Sequence, residues 1–123
     1  MTPLLFVLVA LAGGVGAGAR YLLDLGVSAL TGDRFPWGIL VVNVTGSFAL
    51  GLLTGATSDA AVLAVIGTGL LGGFTTFSTV ASVSAVMLSE RRTPAAVANT
   101  LGTLAGAVAA AAGGLALGML LTR

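Results

Sequence analysis

The chain has neither cysteine nor histidine, and only 7% of its 123 residues are charged. Lacking cysteine, it can form no disulfide and no thiolate metal site. Lacking histidine, it has no imidazole acid or base, nor the commonest protein metal ligand. A soluble domain carries roughly 25% charged residues, so this chain cannot cover itself in water and reads as an integral membrane protein. The formal net charge of +1 is too small to imply nucleic-acid binding. A cleaved signal peptide needs a basic leading region, and Met1-Thr2-Pro3 offers none.

The sparse charges also divide the chain. No ionisable side chain occurs between Phe35 and Ser58, between Ala60 and Ser89, or between Thr93 and Thr122. A spanning helix needs about 20 mainly apolar residues, and the sequence contains four such stretches. The expected helices cover residues 3–23, 37–57, 59–88 and 94–121, one membrane domain over residues 1–123. The last two exceed the minimum and are expected to tilt, kink or break. Pro36 and Pro94 stand where a first helical turn tolerates proline, Thr93 reads as an N-cap, and Asp59 reads as the cap of the third helix. Tyr21 and Trp37 fall at interface depth, as amphipathic aromatics do.

Glycine is abundant, at 19 residues, and four G-x-x-x-G pairs are spaced for close helix packing: Gly14/Gly18, Gly51/Gly55, Gly102/Gly106 and Gly114/Gly118. Gly14-Val15-Gly16-Ala17-Gly18 approaches a dinucleotide fingerprint but lacks the preceding strand and the third glycine offset, so packing is the better reading. Four small-residue-rich helices enclose little interior, and the pattern predicts oligomerisation.

The charge-free spans exclude further classes. Proton-coupled transporters usually titrate an intramembrane carboxylate, and none is present, which disfavours a small multidrug-type antiporter. Serines and threonines are plentiful, but no base is placed to activate one, so the chain is not expected to be an enzyme. Neutral donors remain. Asn43 and Ser47 lie four apart on one face of the second helix, and Asn99 and Thr103 do the same in the last. Spacing alone leaves Asn43 open between interhelical glue and a ligand for a solute.

The centre of the third stretch, Gly72-Gly73-Phe74-Thr75-Thr76-Phe77-Ser78-Thr79, is unsuited to an uninterrupted lipid-facing helix. Paired glycines and hydroxyl residues at membrane depth suit a backbone that opens towards a small solute, which survives only where protein or a wet cavity surrounds it. Phe74 and Phe77 roughly share a face, and phenyl rings present positive edges. Hydroxyls, an amide N–H and ring edges suit a small hard anion.

Three ordered blocks resemble the Fluc (CrcB) fluoride-channel family. They are Gly13-Gly14-Val15-Gly16-Ala17-Gly18-Ala19-Arg20-Tyr21, Trp37-Gly38-Ile39-Leu40-Val41-Val42-Asn43-Val44-Thr45-Gly46-Ser47-Phe48 and Gly72 through Thr79. The resemblance implies an all-α membrane fold with four transmembrane helices. The third is broken near the bilayer centre, and two subunits form an antiparallel, dual-topology dimer. It also implies passive export of fluoride across the plasma (inner) membrane through a multi-pass channel, with a structural Na⁺. The Na⁺ would be held by the backbone carbonyls of Gly72 and Thr75. Fluoride would meet Asn43, Phe77, Thr76, Ser78, Thr79 and Thr103, with Arg20 at the vestibule.

The chain departs from the family pattern at Ile39, Val80 and Val83, where the family has a threonine, a second phenylalanine and a glutamate. The connections at one face, with the adjoining helix end, hold Arg20, Arg34, Arg91 and Arg92; the opposite face holds Arg123 and the amino terminus. Such a bias predicts one preferred orientation with both termini outside, and hence a heterodimer with an oppositely oriented homologue. A homodimer with tolerated substitutions is the simpler alternative. A subunit that does not conduct, but pairs structurally with a conducting homologue, is the other reading of the function.

Overall fold

The computed structural model describes residues Met1–Arg123. It is entirely helical, without strands. Helix α1 covers Pro3–Thr31 and α2 covers Trp37–Ala56. The third span begins as α3, Ala60–Val62, widens into a π-helical segment, Leu63–Leu71, and narrows again in α4, Gly72–Phe74. Thr75 is extended (φ −80°, ψ 156°), and α5 then runs over Ser78–Ser89. Helix α6 covers Thr93–Leu121.

Four spans, Pro3–Thr31, Trp37–Ala56, Ala60–Ser89 and Thr93–Leu121, are long and apolar enough to cross a membrane. Only 18 of 123 residues are buried, and large side chains such as Leu11, Leu22, Leu101 and Leu120 point outward. That is an inside-out arrangement for water but an ordinary one for lipid. The chain is a multi-pass membrane protein.

The helix ends follow local chemistry. Thr2 caps α1, its Oγ1 accepting from Leu5 N–H at 3.1 Å. The helix continues eight residues past the Leu23 end expected from charge spacing. Asp24 does not stop it, because Ser28 one turn later donates to its Oδ1 at 3.3 Å. Termination falls instead at Gly32, whose left-handed φ of 76° suits a residue without Cβ. Asp59 caps α3 as anticipated, accepting from Val62 N–H at 3.0 Å. Thr93 does not act as a cap: it lies inside α6, Arg92 takes the N-cap position, and no side chain bonds there. Pro36 likewise stands just before α2 rather than within its first turn.

Packing is most extensive between α2 and α6. A Cβ at Gly51 would overlap the Ala111 carbonyl, one at Gly55 the Leu115 carbonyl, one at Gly114 the Phe48 carbonyl and one at Gly118 the Leu52 carbonyl. Two of the four sequence pairs therefore form one seam, in which backbones touch directly. The Gly14/Gly18 pair does not pack within the subunit, since nothing lies within 4 Å of either. The neighbouring Gly13 and Gly16 make that contact instead. A Cβ at Gly16 would strike Leu70, and Gly73 lies against the Gly13 carbonyl. This pins α1 on the π-helical segment and on α4, and so fixes where the third span opens.

Candidate functional site

The third span keeps its regular hydrogen bonding as far as Thr75 N–H, which bonds the Leu71 carbonyl, and departs from it at Thr76. Polar backbone freed there must find partners. Asn43, on α2 and only 5% exposed, supplies two of them. Its Oδ1 accepts from Thr76 N–H at 2.8 Å and its Nδ2 donates to the Thr76 carbonyl at 2.9 Å. One carboxamide thus imitates a neighbouring strand for a single residue.

The Thr76 hydroxyl then serves the start of α5. Its Oγ1 accepts from Thr79 N–H at 3.2 Å, lies 3.1 Å from Thr79 Oγ1 and 3.4 Å from Ser78 Oγ. It does the work of an N-cap from one residue upstream of the cap position.

Beside this bridge lies a cavity of about 310 Å³. Asn43, Ser47, Thr75, Thr76, Thr100 and Thr103 line it together with Phe77, Val80, Leu104 and Ala107, and the surface they turn to it is mostly apolar. No ionisable group borders it. Such a space places a few hydroxyl and amide dipoles in mostly apolar walls, without a fixed charge. Thr103, only 7% exposed, borders the cavity and has a buried Oγ1 with no partner. Phe77 is 83% exposed and projects from the single subunit.

A second cavity, of about 300 Å³, opens towards the arginine-rich end. Thr79, Ile39, Val83 and Met87 form its inner part, and Asp24, Asp33, Glu90 and Arg92 its rim. Arg92 is tied there, its guanidinium donating to the Arg34 carbonyl and standing 3.8 Å from Glu90.

Of the residues singled out in the sequence, Asn43, Thr75, Thr76, Phe77 and Thr103 meet at the first cavity. Thr79 faces the second, and Ser78 touches the first only through Thr76. Arg20, half-buried on α1, and Gly72 border neither cavity. Thr100 and Ser84 escaped the sequence reading. Ser84 Oγ lies 2.9 Å from Thr100 Oγ1, and Asn99 Nδ2 donates to Ser84 Oγ at 2.9 Å. The available signal was Thr100 standing between the polar pair Asn99 and Thr103.

The family described as "CrcB-like protein, Camphor Resistance (CrcB)" matches residues 7–115. The chain belongs to this family. A "Fluoride-specific ion channel FluC 1" from Rubrobacter xylanophilus is 45% identical over 106 residues, covering 85% of this chain and 86% of the relative. A second protein of that name, from Leifsonia xyli subsp. xyli, is 45% identical over 123 residues, covering 96% and 89%. A "Fluoride-specific ion channel FluC 3" from Bifidobacterium longum is 39% identical over 118 residues, covering 93% and 98%. This CrcB chain therefore matches its relatives over nearly their full length, including both helices that meet at Asn43 and Thr76.

Proposed function

We propose that the chain is a subunit of a fluoride-selective channel that lets fluoride leave the cell passively across the plasma membrane. The single observation that carries this reading is the uncharged cavity where Asn43 bridges to the opened third span, in a chain up to 45% identical to fluoride channels. It is a conduit and not an enzyme. Fluoride would exchange water for the hydroxyls of Ser47 and Thr103, for the second N–H of Asn43 Nδ2 beside Thr76, and for the ring edge of Phe77. Ser78 and Thr79, at the start of α5, and Arg20, nearer the arginine-rich face, would act along the approach.

Passive flow suffices for export. A potential of 100 mV contributes about 2.3 kcal/mol per charge, and about 1.36 kcal/mol corresponds to a tenfold ratio. A monovalent anion is therefore driven out roughly 50-fold with no coupling carboxylate.

The interruption between Phe74 and Ser78 would lie at the bilayer centre of an antiparallel dimer. Phe77, apolar yet exposed beside a polar cavity, fits a wall that a second subunit completes. A structural Na⁺ is compatible with the backbone here. Thr75 N–H bonds Leu71 O and Thr76 N–H bonds Asn43, so neither closes a turn on the Gly72 carbonyl. The Thr75 carbonyl likewise receives no backbone N–H. Hard carbonyl oxygens suit Na⁺, and Gly72 and Thr75 would supply them. The bound ion would neutralise carbonyl dipoles that otherwise repel fluoride.

The arginine bias at one face supports a fixed orientation and pairing with an oppositely oriented homologue, with a homodimer as the other arrangement. Fluoride efflux from liposomes, with this chain alone and with such a homologue, tests the reading. Fluoride release without chloride release is expected. Absence of fluoride release in both preparations overturns it.

A further inference from the structure

Charge at the arginine-rich end is sorted by side. Three of the chain's four acidic residues, Asp24, Asp33 and Glu90, stand at this end, and all three border the second cavity. Of the three arginines in the two connections, only Arg92 borders it. Arg34 and Arg91 are exposed and form no salt bridge, since the subunit's only one joins Arg92 to Glu90. This end therefore keeps its carboxylates around the cavity and leaves two free guanidinium groups outside it.

The backbone gives one of those groups an unusual seat. Helix α5 ends in a Schellman motif, with Arg92 N–H bonded to the Met87 carbonyl at 2.8 Å and Arg91 N–H to the Leu88 carbonyl at 3.1 Å. Glycine ordinarily fills the left-handed position of such an end, but here Arg91 does, at φ 59°. No other residue except glycine has a positive φ in this chain. A side chain kept against its backbone preference points to a use that glycine could not serve. The same turn brings Arg92 to the neighbouring connection, where its guanidinium donates to the Arg34 carbonyl. That bond joins the connection bearing Arg34 to the one bearing Arg91. Leu30, Trp37 and Leu88 are exposed on the adjoining helix ends, where an interfacial belt meets lipid.

We propose that Arg34 and Arg91 form a docking site for the phosphodiester headgroups of anionic glycerophospholipids. Arg92 is the positioning residue that holds their two connections together. A guanidinium offers a planar fork of N–H donors matched to phosphate oxygens. The acyl chains of the same lipid lie against Leu30, Trp37 and Leu88. An acidic soluble protein fits less well, because it would meet the carboxylates of the cavity rim and an apolar flank. This site is separate from the conduit, and its test needs no fluoride efflux.

The thermal midpoint of the purified protein in detergent is measured with phosphatidylglycerol, phosphatidylcholine or inorganic phosphate at equal concentration. Phosphatidylglycerol is expected to raise the midpoint, and the other two to leave it nearly unchanged. Added salt should shrink the rise, as it does for exposed charges. An equal rise with phosphatidylcholine or inorganic phosphate, or none with phosphatidylglycerol, overturns the proposal. Titrations of Arg34→Gln and Arg91→Gly then assign the site. Apparent affinity for phosphatidylglycerol is expected to fall about fivefold in each variant and about thirtyfold in the double variant. Arg91→Gly is the sharper of the two, because glycine suits φ 59°. Its midpoint without lipid should hold or rise while its response to phosphatidylglycerol weakens. A merely structural Arg91 would move neither affinity nor headgroup preference. Undiminished affinity in the double variant overturns the assignment to these arginines.

Discussion

Asn43 holds both backbone polar groups of one residue, accepting from Thr76 N–H at 2.8 Å and donating to the Thr76 carbonyl at 2.9 Å. The side chain therefore has a mechanical task whatever solute passes beside it. It replaces the hydrogen bonds that the third span gives up where it opens, and so fixes the position of the Thr76 hydroxyl and the start of α5.

Asn43→Ala removes both bonds and strands a buried N–H and C=O, a cost of about 1–3 kcal/mol each. Thermal midpoint in detergent is expected to drop, and fluoride efflux from liposomes to fall more than about tenfold. Asn43→Asp keeps the acceptor for Thr76 N–H but opposes the Thr76 carbonyl with a charge, so it should lose efflux as fully. Efflux retained in both variants would show that the bridge is dispensable.

The Thr76 hydroxyl caps α5 while facing the cavity, and conservative variants separate these tasks. Thr76→Ser keeps the acceptor for Thr79 N–H and is expected to conduct. Thr76→Val removes it and should cost about 1 kcal/mol of stability, the usual scale of a lost cap, together with most of the efflux. Paired stability and efflux measurements on the two variants check this.

The four-span organisation was legible because charge is so scarce: Asp59, Arg91 and Arg92 mark the ends of apolar runs that a membrane requires. Gly72 through Thr79 also announced irregular backbone, since glycine pairs and hydroxyls are poor lipid-facing choices. Two features were not legible. The π-helical Leu63–Leu71 lies where α1 approaches closely at Gly69, a Cβ there coming within 2.8 Å of the Val9 carbonyl. No local propensity encodes that approach. The extension of α1 past Asp24 was hidden because a charge was read as a boundary, whereas a helix simply continues once Ser28 partners it. At the site, Asn43 could be seen as polar and facing inward, but its partner lies 33 residues away, and only the tertiary fold supplies that pairing.

Glycine positions divide into two classes with different consequences. Gly114→Val thrusts a side chain into the Phe48 carbonyl and should abolish assembly or expression of the folded subunit. Gly14→Ala and Gly18→Ala meet nothing within 4 Å, so the subunit fold is expected to survive them. If those two glycines face a second subunit, the dimer fraction in size-exclusion chromatography will fall while helicity by circular dichroism stays unchanged. Loss of helicity in either alanine variant would contradict the packing assigned here.

Sodium gives the last test, because ligand linkage is independent of conduction. An ion that binds only the folded state stabilises it by RT ln(1 + [L]/Kd), about 2.7 kcal/mol at a hundredfold excess over Kd. The Gly72 and Thr75 carbonyls cannot be removed by substitution, but the geometry that frees them can. Asn43→Ala leaves the Thr76 N–H and carbonyl unheld, so the opened backbone that would present the Gly72 and Thr75 carbonyls loses its support. Thermal midpoint of the purified protein is expected to rise when Na⁺ replaces a large organic cation such as N-methyl-D-glucamine, and that rise should shrink in Asn43→Ala. An equal rise in both proteins, or none in the parent chain, would separate the opened backbone from any bound cation.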